Sequence, residues 1–286
     1  MTLTAILSKL PKLYPTSNSD INKESWYLVV AVIMTTLNQP KDLSQLYHQV
    51  IQTTDTLETN EEEHTAFVLR MKEGLLKSSP IIGIPKVINA LSTFHSILPD
   101  HIKGQLPKSP SRTIESWDDI VNQQERGQAL FQRIYDRHSQ KLQSSLQASY
   151  PDLALVCDNA YASILSHSSI INSLDTSFIL ITALMVQQLP AQLKGHYYGK
   201  MMIYSRKKKY GSNIIIRACL FYLLKKQNKK MGMDGKKKKY GLIPLRSIHH
   251  GATQQQFVSL QSIIEKLCNY YNAPFDPLPL KKPTFE

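Results

Sequence analysis

Cysteine is nearly absent from this 286-residue chain. Its three thiols, Cys157, Cys219 and Cys268, stand far apart, which excludes a disulfide framework and fits a reduced compartment. Glycine is sparse as well, at 11 residues, and strand-like alternation is scarce, so a β-rich fold is not expected. Walker loops, dinucleotide fingerprints, G-x-S-x-G elbows and H-E-x-x-H helices are all missing. The pair His249-His250 is adjacent in sequence and points apart, so neither a metal nor a cofactor is expected. The start, MTLTAILSKLPKLYP, is too soon broken by proline for a secretory signal and lacks the arginines of a mitochondrial presequence. No apolar run is long enough to span a membrane, and residues 282–286 match no peroxisomal signal. A cytoplasmic location is therefore expected.

Acid is missing from one stretch in particular. Residues 200–246 hold 15 of the 34 Lys and Arg residues and a single acid, Asp234. The remainder carries 19 basic and 21 acidic residues, so the net charge of +12 resides wholly in that interval. Nucleic acid is accordingly not expected to be a partner of the body of the protein. The interval repeats Lys-Lys-Lys-Tyr-Gly at 207–211 and 237–241 and is rich in residues of A/T-rich codons. It reads as foreign to the fold, either an atypical insertion or translated intron.

What the chain does have is helical pattern. Phe178 to Leu189 is apolar on nearly every side, the mark of a helix buried in an all-α core. Pro190 ends it and can open the next helix, which carries Gln192, Leu193 and His196. Thr253 and Gln256 have capping-box spacing, and Phe257, Leu260, Ile264 and Leu267 follow as one apolar stripe. Glu24 to Leu37 is a second all-apolar helix, again followed by a proline (Pro40) and a histidine (His48). Aligning Tyr27 with Phe178 sets Met34 opposite Met185, which points to two related halves. Thr59 and Glu62 predict a helix start, Pro80 its break, and Asp100 to Arg112 a polar linker. A helix from Glu125 to Leu146 turns Leu130, Phe131, Ile134 and Tyr135 inward, and a further segment carries Tyr161 towards the Phe178 helix. The expected division is an N-terminal half over 1–105, a linker over 106–124 and a C-terminal half over 125–286.

Gln192-Leu193-Lys194-Gly195-His196, Gly251-Ala252-Thr253, and Gly83-Ile84-Pro85 with Asn89-Ala90-Leu91 together resemble the carboxymuconolactone decarboxylase-like family. That family lies in the alkylhydroperoxidase D-like superfamily, and the resemblance is to its two-part fungal-type members. It implies an alkylhydroperoxidase D-like helical fold, a homo-oligomer, and cofactor-free acid/base decarboxylation or isomerisation of a small organic acid or lactone. Joining Gly199 directly to Ser247 restores the family's spacing between its histidine and its G-A-T turn. Peroxidase relatives carry a C-x-x-C pair, but the matching positions here are Leu189 and Gln192, so dithiol peroxide reduction is not expected.

His196 matches the family's histidine and is the first candidate acid/base group; the plainer role is packing at a helix end. Asp175 could orient it, although an aspartate just before Phe178 reads more readily as a helix N-cap. Glu73 could supply a carboxylate from the other half, although Lys77 at i+4 reads as its solvated partner. Tyr197, with Tyr198, could offer a phenol to the substrate. Two other classes of function stand beside the enzyme. One is a non-catalytic helical scaffold that retains the fold. The other, a nucleic-acid or anionic-membrane binder, rests on 200–246 alone.

Overall fold

In the computed structural model, which describes residues 2–11, 25–193, 195–196 and 262–274, the chain is all-α, with no strand among the described residues. Its centre is two helices without a polar face, α2 (Trp26–Thr36) and α11 (Ser173–Val186). Every residue of α2 is buried, as is α11 from Asp175 onward. Around them come α1 (Leu3–Leu7), α3 (Leu43–Thr53), α4 (Asp55–Thr59), α5 (Glu61–Ile82), α6 (Ile84–Ser96) and α7 (Asp100–Gln105). These enclose the main core, which also takes in Ile263, Ile264, Leu267 and Cys268 from the helix at 262–270. Ile264 and Leu267 thus keep their place in the predicted stripe, while Phe257, Leu260 and Gly251-Ala252-Thr253 lie outside the described residues. Residues 200–246 lie outside them too.

A second, smaller core forms where α8 (Trp117–Tyr135) packs on a wide helical turn, Ala160–Leu165, that continues α10 (Pro151–Asn159). Between them in sequence runs α9 (Ser139–Ser149). Gly127 permits this contact, because a Cβ there would stand 2.6 Å from the Cα of Ala162. Leu130, Phe131 and Ile134 of α8 meet Tyr161 and Leu165 there, and Leu180 joins them from α11. Its neighbours Ile179 and Ile181 face the main core, so α11 serves both.

The ends of α2 and α11 are built alike. Asn38 and Gln188 both take left-handed backbone, at φ 56° and 55°. Beyond them the N–H of Gln39 donates to Met34 at 2.8 Å, and that of Leu189 to Leu184 at 3.0 Å, each the i→i−5 closure of a Schellman end. Pro40 and Pro190 follow at the same remove and open the next helical turns. The ends thus pair Met34 with Leu184, one residue out of the Met34–Met185 register read from the sequence, so bringing the two prolines into line takes a gap of one residue.

Several boundaries differ from those read in the sequence. α5 starts on Asn60, whose Oδ1 accepts from the N–H groups of Glu62 and Glu63, while Thr59 closes the short α4. α5 also runs through Pro80 to Ile82, and Gly83 at φ 90° ends it. Only two helical residues follow the proline, and buried Ser79 and Ile82 hold them, so packing outweighs one missing N–H. The single helix expected over 125–146 is divided by Asp136 at φ 45° into α8 and α9. The polar stretch 100–112 includes α7, and α8 begins at Trp117, inside the expected linker, on a Ser116–Asp119 capping box.

Candidate functional site

α5 sets the polar chemistry of the interior. Arg70, Glu73 and Lys77 recur at i, i+3 and i+7, so they share one helical face, and that face meets the start of α11. At its first position, Arg70 Nη2 donates to Asp175 Oδ2 at 2.9 Å and to Ser25 Oγ at 3.0 Å, while Nε donates to the Tyr27 hydroxyl. Asp175 is only 2% exposed, so its half of this ion pair is buried, while the Arg70 side chain is partly exposed. Asp175 is not the cap of α11. Asn172 is, accepting from the N–H groups of Leu174 and Asp175 at 2.9 Å each. Asn172, three residues earlier at the N-cap position, reaches those amides with a side chain of the same length, and Asp175 is left to neutralise Arg70.

Glu73 is buried too, at 4% exposure, and Lys77 entirely, at 0%. The solvated i,i+4 pair read from the sequence is therefore replaced by a buried network. Both Glu73 oxygens accept from the guanidinium of Arg112, which also donates from Nε to the carbonyl of Ser163. Lys77 spends its three protons on Leu165 O at 2.9 Å, Thr176 Oγ1 at 3.1 Å and the carbonyl of His167. Burial pushes its ammonium down to about 8, against the pull of Glu73 and with the repulsion of Arg112.

His196 lies apart from both carboxylates, in the second core. Its Nε2 is 3.4 Å from the Tyr135 hydroxyl and 3.5 Å from that of Tyr161, and the two hydroxyls are 3.1 Å apart. The imidazole stacks on the Tyr161 ring with centroids 6.5 Å apart. Gly195 makes room for this arrangement, since a Cβ there would stand 2.7 Å from Tyr135 Cε1. Burial lowers the His196 pKa to about 4 and raises those of Tyr135 and Tyr161. At neutral pH the cluster therefore holds a neutral imidazole and two protonated phenols. With a phenol donating to Nε2 the ring proton sits on Nδ1, and with the proton on Nε2 a phenol oxygen accepts it instead.

The predicted site residues thus fall in three places: Asp175 with Arg70, Glu73 with Arg112, and His196 with two tyrosines. Among the described residues, no hydrogen bond or ion pair joins Asp175, Glu73 and His196 to one another. Tyr197 lies outside the described residues. Tyr135 and Tyr161 were expected to face inward, and they do, but their meeting with His196 spans 61 and 35 residues of sequence. Arg70 and Arg112 carry no local signal of their partners. The described cysteines are poor nucleophiles: burial raises the Cys157 thiol and pushes that of Cys268 up to about 11. Among the described residues no three His, Cys, Asp or Glu side chains are grouped to hold a metal ion, and no helix is long and apolar enough to cross a membrane.

The chain is similar to two fungal proteins called Peroxisomal protein 2. With that of Schizosaccharomyces pombe it shares 29% identity, across 61% of this chain and 75% of the relative. With that of Saccharomyces cerevisiae it shares 25%, across 63% of this chain and 82% of the relative. No family model matches the chain, and no solved structure matches it. The carboxymuconolactone decarboxylase-like resemblance accordingly rests on the motifs alone.

Proposed function

We propose that this chain is a peroxisome-associated protein of the carboxymuconolactone decarboxylase-like kind, transferring a proton on a small organic acid or lactone at His196. The peroxisomal part draws on the name shared by its two relatives, and it replaces the cytoplasm expected from the missing signals. The observation that carries the chemistry is the buried imidazole facing two phenols. With its pKa at about 4 the resting imidazole has no proton to give, so it acts first as the base. It takes a proton from a carbon next to a carbonyl, leaving the electron pair as an enolate, and the imidazolium returns that proton at the same or a conjugated carbon. The substrate's own carboxylate, bound close by, would raise the imidazole pKa towards the working pH. Tyr135 and Tyr161 stay protonated and can donate to the enolate oxygen. Such an isomerisation is balanced in protons and needs no cofactor.

Incubating the protein in deuterium oxide with a panel of small keto acids and lactones tests this by NMR. Deuterium entering the acidic C–H position should be lowered roughly 10²–10⁴-fold by His196→Ala, the usual contribution of a positioned acid/base group. Exchange that survives His196→Gln, with only the melting temperature lowered, would assign the histidine to packing. A second reading, the helical scaffold without turnover, has its own support: Asp175 and Glu73 are both held by arginines away from His196. Absence of exchange across the panel in a folded protein favours that reading.

A further inference from the structure

A cavity of about 400 Å³ opens between α8 and the start of α11. It shares Leu130 and Leu165 with the second core and adds Ala129, and the rest of its lining is polar or charged. Three cations line it, Lys77, Arg126 and Arg133, and no carboxylate does. The body of the protein holds nearly equal numbers of acids and bases, so three cations without an acid is a local asymmetry. Arg126 and Arg133 are seven residues apart on α8, two turns along one face. Neither forms an ion pair among the described residues. Serine and threonine hydroxyls complete the wall, at Ser166, Ser168, Ser173 and Thr176.

We propose that this cavity binds a small organic anion with at least two negative charges, held by the guanidinium groups of Arg126 and Arg133. Its volume lies within the range of small-molecule sites. The two arginines are planar forks that pair with carboxylate or phosphate oxygens through two bonds at once. Lys77 contributes positive charge from the floor; its protons already serve Leu165, His167 and Thr176. The Glu73 carboxylate behind it is matched by Arg112, so it does not cancel the charge of the lining. The first amides of α11 are taken by Asn172, so recognition falls to the arginines rather than to the helix end. The site stands independently of the proton transfer assigned to His196, and either can fail without the other.

Isothermal titration of the full chain at low salt, with inorganic phosphate and with citrate, tests it. At least one should bind saturably, and Arg126→Gln or Arg133→Gln should each weaken it roughly tenfold or more. Arg137→Gln, an exposed arginine outside the lining, should leave it unchanged. Binding of phosphate alone assigns a phosphate ester, and of citrate alone a polycarboxylate. Both arginines of the cavity are exposed, so the variants should keep the wild-type melting temperature. Saturable binding to neither anion, or binding that persists in the double variant, overturns the assignment; persistence would place the anion elsewhere, as on the lysines of 200–246.

Discussion

Lys77→Met removes an ammonium that is wholly buried at the α5–α11 contact, and its effect on stability should depend on pH. An unfolded lysine titrates near 10.5, whereas burial brings Lys77 down to about 8. Between those values the unfolded chain binds more protons than the native one, so native stability rises with pH. Below about 8 the ammonium is charged in both states, and the full cost of burying it is present. As pH climbs past 8 the native amine sheds its proton and the cost fades. With this pair of values, linkage gives a gain of about 2–3 kcal/mol between pH 7 and pH 10. Methionine fills similar space without a titrating group, and the raised tyrosine pKa values are common to both proteins. The difference in unfolding free energy, wild type minus Lys77→Met, should therefore climb by about that amount over the window. Urea denaturation at pH 7, 8, 9 and 10 measures it. At pH 7 the variant also leaves the carbonyls of Leu165 and His167 without a donor, so its absolute stability mixes two effects, and the slope is the quantity to read. A flat difference from pH 7 to 10 would show that Lys77 titrates normally and that the buried network is wrong.

Other changes probe the same interior. Glu73→Gln leaves Arg112 and Lys77 without their compensating charge and should destabilise by about 3–5 kcal/mol, the cost of breaking a buried pair; a loss below about 1 kcal/mol in urea would place the pair in solvent. Gly127→Ala drives a methyl into the Ala162 backbone and should cost about 3 kcal/mol, with a lower melting temperature as the readout. Dithiol-dependent consumption of hydroperoxides should be absent, because both described thiols stay protonated at neutral pH; robust turnover lost on Cys157→Ser or Cys268→Ser would contradict this.

The apolar skeleton was legible in the sequence because α2 and α11 carry no polar face at all, a pattern that only a buried helix tolerates. The inward direction of Tyr135 and Tyr161 was legible for the same reason, from helical period. The electrostatics were not. Glu73 and Lys77 at i,i+4 have the spacing of a surface pair, and nothing local reveals that Arg112, 39 residues on and in a polar stretch, will meet Glu73 in the interior. Asp175 sits where an N-cap is common, and only the structure shows Asn172 taking that part and Arg70, 105 residues away, claiming the carboxylate. Long-range pairing sets these roles, and a local pattern carries no record of it.

The state of His196 is the point on which the account turns, and ¹⁵N NMR of the imidazole across pH 3–8 reads it directly. Its pKa should lie at about 4, with the ring neutral at pH 7. Because the folded value is depressed below the ordinary 6.5, the stability that His196 contributes is full above that pH and is lost as pH falls through about 4. Tyr135→Phe with Tyr161→Phe should shift the Nε2 resonance, since the hydroxyls facing it are gone. An imidazole that titrates at 6.5 or above, with Nε2 unmoved in the double variant, would contradict the buried cluster and the proton transfer assigned to it.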